Sequence, residues 1–491
     1  MTPGLQIIGA FAIPLAGAAL IAAAHRLPNL REAVTLSTAG LLFWVVASIT
    51  PEVLAGGRPG LTLLQVMPGI ELVFTIEPLG MLFALIASGL WIVNSLYSIG
   101  YMRGNGEQHQ TRYYMCFALA IASTMGIAFA GNLFTLFLFY EALTLVTYPL
   151  VTHHGTEEAK RAGRLYLGML IGTSIVFLLA AIVWTWVVAG TIEFTPGGIL
   201  GGKVSNATMG LLLALYIFGI GKAAVMPVHR WLPAAMVAPT PVSALLHAVA
   251  VVKAGVFSVL KIVVYVFGVD TLAGLKSVDW LPFISGFTII AASIVALRSD
   301  NLKRRLAYST ISQLSYVVLA AALLTPLSVI GAALHIATHA LGKITLFFAA
   351  GAIYTAAHKT EVSQLAGIGR RMPWTMAAFT VGALSLIGVP PAAGFVSKWF
   401  IVAGALQSGH YLALAVIIAS TLLNAAYFLP IVYAAFFCAP AAPDDQGHGH
   451  GEAPWTMVAA LTITAGGTVA LFFFADLPLQ LARQLVAGPP G

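Results

Sequence analysis

Residues 221–255 read GKAAVMPVHRWLPAAMVAPTPVSALLHAVAVVKAG. Two lysines, Lys222 and Lys253, stand in this mainly apolar stretch, with prolines between them at Pro227, Pro233, Pro239 and Pro241. A charge in hydrocarbon costs at least about 2.5–3.5 kcal/mol on insertion scales, so an intramembrane lysine is read as functional by default. Proline removes a helix hydrogen bond, and the freed carbonyl must be satisfied by a neighbour or by water. The stretch therefore reads as a broken membrane helix followed by a helix with a charge near mid-depth. A second break follows in LIGVPPAAGFVSK, residues 386–398, where Pro390, Pro391 and Gly394 precede Lys398. Interrupted helices in the two halves of a transporter point to its transport site.

The rest of the chain agrees. Of its 491 residues, 59% are hydrophobic and only 8% charged, against about 25% charged in a soluble domain. This composition predicts an all-α polytopic membrane protein whose core is helix against helix in lipid. A span needs about 20 apolar residues. Fourteen candidates begin near residues 4, 33, 72, 113, 132, 164, 209, 240, 280, 305, 327, 374, 411 and 455. The N-terminal stretch lacks a basic lead and reads as a retained helix. The longest polar segment is 442–454, and its His448 and His450 read as a solvated loop rather than a metal site. No strong letter-by-letter repeat is visible between the halves.

The net charge of +7 does not point to nucleic acid, because the basic residues fall in short loops between apolar spans. With the N-terminus outside, the inner side receives Arg26, Arg31, Arg103, Arg112, Lys160, Arg161, Arg164, Arg230, Arg298, Lys303, Arg304, Arg305, Lys359, Arg370 and Arg371. The outer side receives Arg58, Lys203, Lys276 and Arg483, and Lys261 is ambiguous near the end of the eighth span. Fifteen against four obeys the positive-inside rule, so both termini are expected on the outer side.

One acid and four lysines lie within the spans. Glu141, in LFLFYEALTLVTYP, finds an obvious partner in Lys222 on another helix; the pair is either a switch or a static clasp. Lys253 falls near mid-membrane. His247, six residues earlier, need not share its face, and reads equally as a relay or a satisfied core histidine. His335, His339 and Lys343 follow at i, i+4 and i+8 and form one stripe. Histidine changes charge near neutral pH, so such a stripe can pass protons. A metal reading is weaker, because no carboxylate lies nearby and Lys343 repels a cation. Lys398, beside a break, is either part of the pathway or an interfacial anchor.

There is no GxGxxG after a strand, no GxxxxGK[ST], and no cysteine cluster, since Cys116 and Cys438 are far apart. No cofactor, nucleotide, redox or metal site is readable, which leaves an ion gradient or partner subunits to drive any transport.

The 221–255 stretch resembles the signature of the antiporter-like, proton-conducting membrane subunits of respiratory complex I, Mrp-type cation/proton antiporters and membrane-bound hydrogenases. THALGKITLFFAAG (338–351) and PPAAGFVSKWF (390–400) resemble two further motifs of that family. The likeness spans about residues 70–435. It implies fourteen helices, with two inverted five-helix repeats and broken seventh and twelfth helices. Within one membrane domain, 1–491, residues 1–110 would hold helices 1–3, 111–270 the first half-channel, 280–436 the second, and 455–475 helix 14. Glu141 and Lys222 look like the family's glutamate–lysine pair, Lys253 like its central lysine, His335 and His339 like its bridging histidines, and Lys398 like its terminal charge. His247 and Lys343 are accessory candidates. The resemblance implies partner membrane subunits, a bacterial inner membrane, and H⁺ as the transported ion, with exchange for Na⁺ left open. The chain ends soon after the fourteenth span, without the long lateral helix of complex I's distal subunit or the large C-terminal extension of the Mrp A subunit; its length fits the D type of Mrp antiporter component and two of the complex I subunits, and the D type is the favoured expectation, with complex I or a hydrogenase as the alternative.

Overall fold

The computed structural model describes residues 2–439 and 451–487; His448 and His450 lie outside them. Apolar length makes helices here, because lipid offers no hydrogen bonds and each backbone group must be satisfied within its own segment. Among the described residues, ten helices are long and apolar enough to cross a membrane, from Pro3–Ala23 to Trp455–Phe473. Gln110–Ala128 and Leu302–Ala322 complete the uninterrupted spans and carry basic residues in their first turns. The seventh and twelfth are broken, as expected. The seventh runs Asn206–Gly219, loosens through Gly221–Ala223 and resumes as the short Trp231–Ala234; the twelfth divides into Pro373–Ile387 and Gly394–Gln407. The prolines in each gap supply no backbone donor.

Two boundaries differ most from the sequence expectation: the sixth span begins at Glu157, not near residue 164, and the third begins late. The third span begins at Pro78, not near residue 72. Residues ahead of it form an antiparallel hairpin, Gly60–Met67 with Ile70–Thr75. The apolar letters of Ile70–Thr75 look like the start of a span, but Pro68-Gly69 supplies a turn and the segment pairs edge to edge. The hairpin docks on the fifth helix cap, where the Asn132 amide donates to the Glu71 carbonyl at 2.8 Å. A short amphipathic helix, Asp476–Arg483, follows the last span.

The repeat that the letters hide is legible in the element boundaries. Helices start at Gln110 and Trp280, Leu133 and Leu302, Glu157 and Pro326, Asn206 and Pro373, and Thr240 and Tyr411. Each pair is separated by 167 to 171 residues. Five spans lie between equivalent starts, so the second set is inverted relative to the first. The caps repeat too. Asn132 accepts from Thr135 N–H at 2.8 Å and donates to Glu193, 61 residues on; Asn301 accepts from Arg304 N–H at 3.0 Å and donates to Glu361, 60 residues on. Asparagine side chains satisfy the orphan donors of a helix N-terminus.

Two helices form the axis of the molecule. The eighth, Thr240–Phe267, is buried along its whole length, and a wide turn at Leu245–Val249 shifts its face above Lys253. The eleventh, Pro326–Ala357, has 32 residues, about 48 Å at 1.5 Å per residue. That exceeds the roughly 30 Å of hydrocarbon.

Candidate functional site

The eighth and eleventh spans bring Lys253 and His339 together. Both are buried, and Lys253 Nζ is 2.5 Å from His339 Nδ1. Lys253 lies thirteen residues from Thr240, about 20 Å along the helix. The rings of His339 and His335 stack at 5.8 Å, as their i, i+4 spacing predicts. His335 is held from two sides: Nδ1 contacts Ser397 Oγ at 2.9 Å and Nε2 contacts Gln313 Oε1 at 3.1 Å. Ser397 is also 2.9 Å from Thr338 Oγ1. The next residue, Lys398, is buried and donates to the carbonyls of Leu386 and Ile387 at 2.8 and 3.0 Å. Those carbonyls lose their helix partners where the twelfth span breaks, so lysine and break are one device. Its ammonium also lies 4.9 Å from the Tyr316 ring, which stacks on His335 at 5.6 Å. Lys253, His339, His335, Ser397, Tyr316 and Lys398 thus form a chain of neighbours from the eighth span into the second repeat.

The first repeat is arranged differently from the expected contact pair. Lys222 donates to the Tyr140 carbonyl at 2.7 Å and to Thr144 Oγ1 at 2.6 Å, with its ammonium 3.2 Å from the Tyr140 ring centroid. No ion pair joins it to Glu141 among the described residues. Glu141 is half-buried, and its Oε1 has no protein partner. The lysine grips the turn of the fifth span that carries Glu141. Gly255 lets the eighth span lie on this break: a Cβ there would fall 2.3 Å from the carbonyl carbon of Lys222. Lys222 and Lys253 therefore flank one close helix crossing.

The accessory candidates separate. His247 is buried against Phe347, ring centroids 4.8 Å apart, with neither ring nitrogen bonded to protein. Lys343 donates to the Leu306 carbonyl at 3.0 Å.

Sequence reasoning missed several members. Gln313, Tyr316 and Ser397 hold His335 or face it; Gln313 and Tyr316 stand i, i+3 on the tenth span, a spacing that could have paired them. Lys261 is a fifth buried lysine rather than an ambiguous end residue. It pairs with Glu77 at 3.1 Å and donates to the Ala130 carbonyl at 2.6 Å. Eight residues beyond Lys253, it is two turns along nearly the same face.

The family described as NADH:quinone oxidoreductase/Mrp antiporter, TM, matches residues 130–424. The N subunit of NADH-quinone oxidoreductase from Desulforudis audaxviator (strain MP104C) is 33% identical over 423 residues, covering 83% of each chain. The D subunit of the Na(+)/H(+) antiporter from Alkalihalophilus pseudofirmus (strain ATCC BAA-2126 / JCM 17055 / OF4) is 26% identical over 78% of this chain and 77% of its own. A chain of the Mrp complex structure from Dietzia sp. DQ12-45-1b superposes with a TM-score of 0.85 at 22% identity, covering 100% of this chain and 98% of that one; at that identity the likeness is one of fold.

Proposed function

This chain belongs to the NADH:quinone oxidoreductase/Mrp antiporter membrane family, and on that premise we propose that it carries protons along Glu141, Lys222, Lys253, His339, His335 and Lys398. It does so as one membrane component among others in a larger complex. The observation that carries the reading is the buried contact between Lys253 and His339. Both groups titrate. Two positive charges in contact repel by more than about 4 kcal/mol even at an effective dielectric of 20, so the pair holds one extra proton rather than two. A shared proton can leave towards His335 when water bridges the remaining gap. Closing Glu141 onto Lys222 withdraws a positive charge from the neighbourhood of Lys253. An interaction of about 1.4 kcal/mol changes a proton affinity tenfold.

The test is Lys253→Arg in the assembled complex. Arginine keeps the charge but does not deprotonate. Proton transport stops in this reading; a wild-type rate would make Lys253 an electrostatic fixture.

The finer reading is the D type of Mrp antiporter component, with exchange of protons for Na⁺ left open. A second reading, an antiporter-like pumping component of a quinone oxidoreductase, is favoured by the higher identity to the N subunit of that enzyme. The co-purifying proteins decide between them, and dependence of transport on Na⁺ tests the exchange.

A further inference from the structure

His335 is a buried imidazole with both ring nitrogens already taken, and neither by His339 or Lys398. Its Nδ1 lies 2.9 Å from Ser397 Oγ, and its Nε2 lies 3.1 Å from the side-chain amide oxygen of Gln313. A neutral imidazole donates from one nitrogen and accepts at the other, and an amide oxygen only accepts. The ring proton therefore belongs on Nε2. Nδ1 is then the bare nitrogen, and the Ser397 hydroxyl donates to it. The hydrogen bond made by one ring nitrogen thus decides the state of the other.

The two partners differ in what they can do next. Gln313 is fully buried on the tenth span, and its Nε2 has no protein partner. Buried amides normally have their donors satisfied. Among the described residues this one makes its hydrogen bond to the ring alone, which suits it to orient the histidine rather than to tie helices together. An amide oxygen is too weak a base to remove a proton at neutral pH, so the Nε2 proton is capped. Ser397 is different, because a hydroxyl both donates and accepts. Two further groups stand beside it, Thr338 Oγ1 at 2.9 Å and the Gly394 carbonyl at 3.2 Å. Thr338 precedes His339 in the chain and Ser397 precedes Lys398, so these two hydroxyls meet where the eleventh and twelfth spans bring their titratable groups together.

We propose that Gln313 fixes His335 in the form protonated on Nε2 and leaves Ser397 as the single port through which the ring gains or loses a proton. On loading, Ser397 Oγ accepts the incoming proton and passes its own to Nδ1. The ring becomes an imidazolium, and the serine hydroxyl turns to the Gly394 carbonyl while its oxygen accepts from Nδ1–H. The bond from Nε2–H to Gln313 is then charge-assisted, roughly twice as strong as a neutral one, so it steadies the charged ring without taking its proton. Release runs back through Ser397. His335 therefore stores a proton at one nitrogen instead of passing it straight across the ring. Gln313 is a positioning residue, and Ser397 is the relay next to Lys398. The inference rests on the proton-carrying reading above and deepens it.

The test uses the assembled complex in proteoliposomes, made with nitrogen-labelled histidine. Solid-state nitrogen NMR distinguishes a protonated ring nitrogen from a bare one, and the His335 signals are those that disappear in His335→Gln. In the wild type the neutral ring is expected with Nε2 protonated and Nδ1 bare; the opposite tautomer overturns the proposal. Gln313→Leu keeps the bulk and removes the acceptor, so both tautomers are expected there. An unchanged spectrum overturns the role of Gln313. Proton transport is expected to fall about a hundredfold or more in Ser397→Ala and to recover in Ser397→Thr, which keeps the hydroxyl. Ser397→Ala transporting at the wild-type rate overturns the port. The spectra need no transport, so a wild-type complex that moves no protons would sink the parent reading alone and leave the tautomer result standing.

Discussion

Glu141 is the residue whose surroundings most sharply constrain how the site works. It is an acid in a membrane span with an unpartnered oxygen, one turn from the carbonyl and hydroxyl that hold Lys222. A buried carboxylate oxygen without a partner is costly, so the carboxyl is expected to swing to a partner during turnover. Glu141→Gln keeps the shape and removes the charge that such a partner would meet. Transport is expected to be lost while assembly, read by size-exclusion chromatography, stays intact; full activity would remove Glu141 from the pathway. A second residue-scale prediction concerns pH. Burial pushes His153 down to about 4, so its close approach to Glu107 is not an ion pair at neutral pH. A base whose folded pKa lies below its unfolded value, about 6.5, binds protons preferentially in the unfolded state. Folded stability therefore falls as the pH drops from about 6.5 towards 4. His154, raised by Glu107, works the other way: its contribution is present below about 6.5 and is lost as the pH rises through its folded value. Thermal melts of His153→Phe should show a shallower acid-side decline than wild type. Melts of His154→Gln should show a steeper one.

At the scale of elements, the breaks in the seventh and twelfth spans are where freed backbone groups meet buried lysines. Each break presents backbone groups that a continuous helix would consume, and a lysine stands at each one. The twelfth is fixed by a close approach: a Cβ on Gly394 would lie 1.8 Å from the Ser385 carbonyl oxygen, a backbone atom that cannot step aside. Gly394→Ala must therefore pry the two half-helices apart. Overpacking of this kind costs typically about 1–3 kcal/mol. A drop of several degrees in Tm is expected, with transport reduced because Ser397 and Lys398 ride on the displaced half. An unchanged Tm would mean that the break is more pliant than its packing indicates.

For the whole molecule, the inverted repeat makes the two halves face opposite sides, and the basic loops predict the orientation. Gln65, in the hairpin, and Gln108, between the third and fourth spans, are both exposed and on opposite faces. In sealed right-side-out cells, an impermeant thiol reagent should label Gln65→Cys and leave Gln108→Cys unlabelled. The reverse pattern would invert the orientation. The labelling does not depend on transport.

Much of this was legible in the letters. Hydrophobic length determined the spans, because a bilayer imposes one thickness on every crossing segment. Proline pairs determined the two breaks, because no neighbouring residue can restore a missing donor. The cost of a buried charge singled out Lys222, Lys253 and Lys398, and helical periodicity placed His335 over His339. The hairpin at residues 60–75 was not legible, because its apolar strand has the composition of a span and its pairing partner is set by the turn. Nor was the repeat, which survives in element lengths and in the Asn132 and Asn301 caps but not in side chains, since packing tolerates many apolar sequences of similar volume. Tertiary structure alone decided the contacts: Lys253 to His339 across 86 residues, His335 to Gln313 and Ser397, Lys261 to Glu77, and Lys222 turned to Tyr140 rather than Glu141. A sequence states which charges must be paired inside a membrane; only the crossing of helices states which groups are near enough to do it.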